Sequence, residues 1–246
     1  MSYNKQIGGE FSSNQIFREN KFLNKYQNGT WTLSGRYALE IILKKNNYLV
    51  KKNIYIPIFN CPSVHQTIKK YFKKIYFYDL DLNLNPKLKK IKKNSVILLV
   101  NYFGLQTKKI KKNIIIEDLS HCFLDKKKLM KNRFYFMSLR KLGIFNFGGW
   151  SNIEDNKNLN KKAIKFMEKY RIKKHNYLNL LKKDENLEKK LLNELQIEEN
   201  KIIRNNTTIK KNQIPLITNK KLNVIKRIRK RYYNFLKKNL VRNYFD

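Results

Sequence analysis

Two residues in the first 150 positions could do chemistry as a pair: a carboxylic acid at Asp118 and a primary amine at Lys141. Each follows a short apolar run, of residues 114–116 and 134–137 respectively. A lysine that is partly desolvated by apolar neighbours such as Leu142 can lose its proton and form a Schiff base with a carbonyl compound. A carboxylate can hold a protonated pyridine nitrogen and so make the ring an electron sink. The pair therefore predicts a cofactor that is held at two poles.

Three polar segments follow apolar runs in this part of the chain. They are residues 101–104, 117–121 and 138–141. Ligands of an open parallel sheet bind outside the carboxyl ends of its strands, so we expect the three segments to line one crevice. Taken singly, each residue has an ordinary explanation, because a strand-end aspartate often caps a helix and a lysine in so basic a chain is normally solvated. The prediction depends on the ordered set.

Short strands and helices in alternation would position these segments. We predict strands at residues 53–57, 75–78, 95–100, 113–117 and 134–137, and helices from Gly35 to about residue 43 and at residues 63–71. Continuous apolar runs such as residues 96–100 are typical of strands that are covered on both faces. The sequence therefore predicts an α/β fold in which helices flank a mostly parallel sheet.

The pattern changes after Trp150. Residues 159–200 and 219–240 are rich in lysine and carry apolar residues at helical spacing. We predict a cofactor-binding domain at residues 1–150 and a helical segment at residues 151–246.

The 246 residues include 55 lysines and arginines against 18 acidic residues, which gives a net charge of +37. Such a charge is typical of nucleic-acid binding. Residues with A/T-rich codons dominate, however, and alanine occurs only at Ala38 and Ala163. We therefore interpret the charge chiefly as a consequence of base composition. A basic nucleic-acid-binding protein, using residues 159–240, remains the alternative.

The spacing of the cysteines and the length of the apolar runs indicate the cellular compartment. Cys61 and Cys122 lack the spacing of a zinc site or a disulfide framework, and we expect inert buried thiols unless Cys61 contacts a cofactor. The N-terminus has no apolar signal core, and no run approaches the roughly 20 residues of a membrane span. We expect a cytoplasmic protein without a metal site.

Six segments resemble, in order, the large domain of fold-type I pyridoxal-phosphate enzymes, and they are most similar to the DegT/StrS group of sugar aminotransferases. They are residues 34–39 (SGRYAL), 57–64 (PIFNCPSV), 76–81 (YFYDLD), 101–104 (NYFG), 117–121 (EDLSH) and 138–141 (SLRK), the last followed by Gly148 and Gly149. The resemblance covers roughly residues 7–150, and residues 231–236 are similar to a stretch on the group's following long helix.

The resemblance implies a role for three residues at the reacting end of pyridoxal phosphate. Lys141 would carry the cofactor as a Schiff base and then move a proton between the substrate carbon and the cofactor. Asp118 would pair with the pyridinium nitrogen. His121, at a position often filled by glutamine, would hydrogen-bond the phenolic oxygen.

It also implies contacts for the rest of the cofactor. Gly35 and Arg36 would offer backbone N–H groups to the phosphate at the start of a helix, where an anion is favoured on general grounds. Ser138 would add a hydroxyl donor. Cys61 occupies the place of the side chain that stacks on the pyridine ring, which is usually aromatic.

The implied activity is transfer of an amino group from an amino acid such as glutamate to a nucleotide-linked keto-sugar, in surface-polysaccharide or related sugar biosynthesis. Such enzymes are generally homodimers. They usually continue into a small α/β domain, whereas this chain ends at Asp246, so we expect cofactor binding to survive better than turnover. A catalytically inactive remnant of the fold is the third interpretation.

The base-composition interpretation of the charge can be tested with oligonucleotides. We expect DNA and RNA to bind without sequence preference, and the affinity to fall by about 10³ or more between 50 and 200 mM salt. Fluorescence anisotropy with oligonucleotides of equal length and scrambled sequence measures both properties. A sequence-selective complex that persists at physiological salt would favour the nucleic-acid alternative.

Overall fold

The computed structural model describes mainly the part of the chain between residues 26 and 155. The described residues are 26, 28–88, 91–102, 110, 113–122, 129–130, 132–142 and 148–155, with single positions at 194, 197, 208, 227 and 231. The helices predicted at residues 159–200 and 219–240 lie outside the described residues, apart from four single positions that are helical. These are Glu194, Ile197, Arg227 and Arg231.

Seven strands of the described residues form one sheet. In chain order they are β1 Thr30–Thr32, β2 Ile54–Pro57, β3 Ile75–Tyr78, β4 Val96–Val100, β5 Ile114–Asp118, β6 Arg133–Ser138 and β7 Gly149–Ser151. Their order across the sheet is β1-β7-β6-β5-β4-β2-β3. Strands β2 to β6 pair in parallel, whereas β7 runs antiparallel to both β6 and β1. The predicted mostly parallel sheet is therefore confirmed.

Helices connect and cover the parallel strands. Helix α1 spans Gly35–Lys45, α2 spans Asn47–Val50 and α3 spans Pro62–Tyr71. Ser34 caps α1, because its Oγ accepts the backbone N–H of Tyr37 at 3.3 Å. A short 3-10 turn, Leu139–Leu142, follows β6 directly. Within the described ranges, no helix is both long and apolar enough to cross a membrane.

The two faces of the sheet bury separate apolar clusters, because side chains alternate along each strand. One face packs against α1 and α3, through residues such as Leu39, Ile68 and Ile116. The other face buries Tyr55, Tyr78, Ile97, Leu99 and Ile115, with Leu80, Leu88, Ile91 and Ile110 packed against them. Both faces are covered, which accounts for the continuous apolar runs and agrees with the predicted α/β class.

A buried ion pair lies within this second face. Glu117 Oε2 accepts Arg133 Nη1 at 2.9 Å, and the two side chains are 0% and 7% exposed. The Asn101 side-chain amide donates to the other oxygen, Glu117 Oε1, at 3.2 Å. Charges that are buried without such partners are strongly unfavourable, so this network allows polar side chains inside a sheet face.

The ion pair predicts a non-additive effect on stability. Arg133→Met should lower the free energy of unfolding by about 3 kcal/mol, because it removes a cation that is hydrogen-bonded to the buried Glu117 carboxylate. Adding Glu117→Gln should recover part of this loss, because the remaining group is then neutral. Urea unfolding of the two single variants and the double variant measures the coupling, and strictly additive losses would contradict it.

Candidate functional site

A cavity of about 290 Å³ lies at the carboxyl ends of β4, β5 and β6, beside the N-terminus of α1. Residues that end these strands line it, namely Val100, Asp118 and Ser138. All seven residues that the sequence analysis singled out for the site lie on its wall. They are Gly35, Arg36, Cys61, Asp118, His121, Ser138 and Lys141.

The first turn of α1 forms one end of the cavity, and two glycines let it approach the sheet. A Cβ on Gly35 would lie 2.8 Å from Ser138 Cβ, and a Cβ on Gly149 would lie 2.5 Å from the carbonyl group of Ser34. Both contacts are closer than packed carbon atoms allow. The first N–H groups of a helix have no partner within the helix and carry its positive partial charge. Together with the Ser138 hydroxyl, this end suits an anion such as a phosphate.

Asp118, the last residue of β5, also lines the cavity and is 5% exposed. Burial raises the pKa of its carboxyl from the ordinary 3.8 to about 6, since desolvation disfavours the charged form. Hydrogen bonds from Ser120, including its backbone N–H at 2.8 Å, and the charge of Lys141 act in the opposite direction. A further cation in the cavity would therefore stabilise the ionised form of this carboxyl.

The 3-10 turn brings Lys141 and Arg140 to the cavity wall. The turn is anchored at its first residue, because Leu139 N–H donates to the Gly148 carbonyl at 2.9 Å, and Gly148 N–H in turn donates to the Leu33 carbonyl at 2.8 Å. Gly148 has a φ of 111°, a conformation that residues with a Cβ rarely adopt. The Gly-Gly pair after the lysine thus closes the turn against the segment that leads into α1.

An aromatic group lies beside His121. The His121 and Tyr102 ring centroids are 5.9 Å apart, and those of Tyr102 and Phe59 are 5.8 Å apart. The Tyr102 hydroxyl donates to the Phe59 carbonyl, which ties the end of β4 to the loop after β2. Burial, with a smaller effect of nearby Asp118, raises the pKa of Tyr102 well above its usual range. Tyr102 is therefore a neutral hydrogen-bonding side chain at neutral pH.

Cys61 is half-buried, whereas the sequence predicts a buried thiol unless Cys61 contacts a cofactor. It precedes α3, its backbone N–H donates to Asn60 Oδ1 at 2.7 Å, and its Sγ lies 3.1 Å from Ser63 Oγ. Cys122 is buried, and neither thiol is in a disulfide.

The three polar segments converge only in part. Tyr102, Ser120 and Arg140 line the cavity, but Asn101 and Glu117 do not. The side chains of those two residues bond to each other on the other face of the sheet. Phe103 and Gly104 lie outside the described residues.

Ser120, Arg140 and Asn60 were not singled out from the sequence, although all three line the cavity. A signal existed for Ser120, because a serine two residues after a strand-end aspartate commonly hydrogen-bonds within a turn. Among the described residues, no group of three or more histidine, cysteine or acidic side chains could hold a metal ion.

No protein-family model matches the sequence, and no curated protein matches it. The chain is similar to 3-amino-5-hydroxybenzoic acid synthase, at 16% identity and a TM-score of 0.44, over 56% of this chain and 41% of that one. It is similar to a sugar aminotransferase from Streptococcus pneumoniae in its PMP form, at 14% identity and a TM-score of 0.45, over 63% and 50% of the two chains.

A third similar structure is a DegT DnrJ EryC1 StrS aminotransferase from Brucella abortus, at 16% identity and a TM-score of 0.41, over 58% of this chain and 48% of that chain. The chain spans half or less of the length of each of these three proteins. Two of the three are named as aminotransferases.

The raised pKa of Asp118 predicts that Asp118→Asn stabilises the ligand-free protein. A carboxyl with a raised pKa contributes stability below pH 3.8 that is lost as the pH rises through about 6. The amide avoids this loss, so the variant should gain about 3 kcal/mol in the free energy of unfolding at pH 7.5 and about half of that at pH 5. Urea unfolding at both pH values measures the gain, and a gain that is equal at the two would contradict the assignment.

Proposed function

We propose that the protein is a pyridoxal-phosphate-dependent aminotransferase of the DegT/StrS type. The observation that carries this proposal is that Asp118, Lys141 and the first turn of α1 line one cavity. Each is an ordinary feature alone. Their meeting in one cavity supplies a carboxylate, a primary amine and an anion-binding helix end, which are the groups that a phosphorylated pyridine aldehyde requires.

The residues fit this cofactor at both poles. The phosphate would accept from the backbone N–H groups of Gly35 and Arg36 and from the Ser138 hydroxyl, and the absence of a Cβ on Gly35 allows Ser138 to lie this close to the start of the helix. The ring nitrogen would face Asp118, and its positive charge would return the pKa of that carboxyl toward its ordinary value. When it is bound, the cofactor supplies an electron sink for the substrate's amino carbon.

The chain's own residues would hold and move protons around this group. Lys141 Nζ would take the proton from the substrate carbon and return it to the cofactor side, as a general acid and base. Asp118 would keep the ring nitrogen protonated. His121 would hydrogen-bond the phenolic oxygen, supported by its ring contact with Tyr102. Cys61 would lie against the ring in place of an aromatic side chain, with less stacking area.

The charge of the cavity suits an anionic substrate. Three cationic side chains, Arg36, Arg140 and Lys141, line it together with one acidic side chain, Asp118. Such a field attracts anions and raises their rate of association. We propose an amino acid such as glutamate as the donor and a nucleotide-linked keto-sugar as the acceptor, in surface-polysaccharide biosynthesis.

The remaining assignments follow the same resemblance. We propose that residues 1–150 form the cofactor-binding domain, that residues 151–246 form a helical segment, and that the protein acts as a homodimer in the cytoplasm. Its contacts with nucleic acid would be non-specific.

Covalent trapping tests the role of Lys141. After incubation with pyridoxal phosphate and reduction with borohydride, peptide mapping should find the pyridoxyl label on Lys141. Lys69→Ala, which removes an exposed lysine of α3, is the matched control and should label as the wild type does. Lys141→Ala should lose this label and reduce amino transfer from glutamate by at least about 10²-fold. Equal labelling of many lysines, with no change in Lys141→Ala, would refute the proposal.

A further inference from the structure

We propose that Ser120 is a positioning residue that orients the Asp118 carboxylate and ties it to the strand end that carries Ser138 and Lys141. The proposal concerns the ligand-free protein, and its consequence for the cofactor rests on the proposed function. Ser120 lies two residues after the end of β5, lines the cavity and is 6% exposed. Its side chain is neutral, and it contacts both the Asp118 carboxylate and the backbone N–H of Ser138.

Two backbone hydrogen bonds define its position. The Ser120 N–H donates to Asp118 Oδ1 at 2.8 Å. The N–H of Ser138 donates to Ser120 Oγ at 2.9 Å. The hydroxyl of Ser120 therefore accepts from one strand end while its backbone donates to the carboxylate of the neighbouring strand end.

The bonds that the Ser120 hydroxyl already makes determine where its hydrogen points. A serine hydroxyl has one hydrogen and two acceptor sites. Because Ser138 donates to the oxygen, the hydrogen is available to Asp118, and the two side chains are hydrogen-bonded. The carboxylate thus receives two donors from one residue, which fixes its rotation about the Cβ–Cγ bond.

Ser120 also continues the pairing of β5 with β6 beyond the end of the sheet. The last regular bond there runs from Leu119 N–H to the Phe136 carbonyl, at 2.8 Å. Two residues further along β6, the Ser138 N–H donates to the Ser120 hydroxyl, in the place where the carbonyl of a neighbouring strand would otherwise accept. Because Ser138 lies three residues before Lys141, this bond ties the segment that carries Lys141 to the strand end that carries Asp118.

Ser120 gives Asp118 two neutral donors, its side chain and its backbone N–H. The other titratable groups that line the cavity come from α1, the ends of β4 and β5, the loop after β2 and the 3-10 turn. They are Arg36, Cys61, Tyr102, His121, Arg140 and Lys141. Of these, Lys141 lowers the pKa of Asp118, and it does so less than Ser120. Loss of the Ser120 hydroxyl should therefore shift the carboxyl toward its protonated form.

Titration of the ligand-free protein tests the proposal directly. The Asp118 carboxyl carbon can be followed by ¹³C NMR and assigned with Asp118→Asn. Ser120→Ala should raise the pKa of Asp118 by about one unit, a tenfold change in proton affinity. Ser120→Thr keeps the hydroxyl and should restore the wild-type value to within about 0.3 units. Ser95→Ala removes a buried serine just before β4, away from the cavity wall, and should leave the titration unchanged.

A second variant tests the proposal if Ser120→Ala does not fold. If Ser120→Ala is unfolded, Ser120→Cys retains the shape with a weaker donor and should give an intermediate rise. An unchanged Asp118 pKa in the folded alanine or cysteine variant would overturn the proposal, and so would a threonine variant that fails to restore it.

Cofactor affinity separates this inference from the proposed function. At pH 6, where the two pKa values leave different fractions of Asp118 ionised, Ser120→Ala should bind pyridoxal phosphate about fivefold more weakly than the wild type, measured as Kd by fluorescence, and Ser120→Thr should lie within about twofold. If the titration behaves as expected but the wild type does not bind pyridoxal phosphate, the proposed function fails and the positioning role stands. If the wild type binds and Ser120→Ala binds equally well, the positioning role fails.

Discussion

The close approach of the first turn of α1 to the ends of β6 and β7 is the constraint on which the site depends. Gly35 meets Ser138, and Gly149 meets the Ser34 carbonyl, at separations that leave no room for a Cβ. The helix end can therefore lie at the same cavity as the strand ends. A helix that was displaced by the width of one methyl group would still pack its apolar face on the sheet, but its first N–H groups would lie farther from the strand ends.

The two buried carboxylates of β5, Glu117 and Asp118, differ in how far their charge is compensated. Glu117 is paired with Arg133 and bonded to Asn101, so its charge is compensated within the protein. Asp118 is also buried, but its compensation is partial, and its pKa is raised to about 6. Partial compensation destabilises the ligand-free fold, and it leaves interaction energy that a cationic group of a ligand can recover.

The parallel strands and the helices around the site could be predicted because they depend on local patterns. Apolar runs of strand length marked β4 and β5, and an apolar helical pattern from Gly35 onward marked α1. Strands β1 and β7 were not predicted, because three-residue strands have too short a pattern and owe their pairing to tertiary packing. Asn101 and Glu117 were predicted to line the cavity, but their side chains lie on the other face of the sheet. A run of polar residues does not reveal where the strand ends, and so it does not reveal which face each side chain reaches. Ser120 was missed because its importance lies in one hydrogen bond across two strands.

Glu117 and Asp118 are adjacent in β5, yet one faces a buried arginine and the other faces a cavity. Only the alternation of side chains along the strand separates them. The consequence concerns insertions and deletions. Loss or gain of a single residue within β5 would send the paired glutamate to the cavity and the partly compensated aspartate into the sheet's other face. It would also reverse every apolar side chain of the strand. This strand can therefore diverge by substitution at single positions, while changes of length are confined to the loops on either side of it.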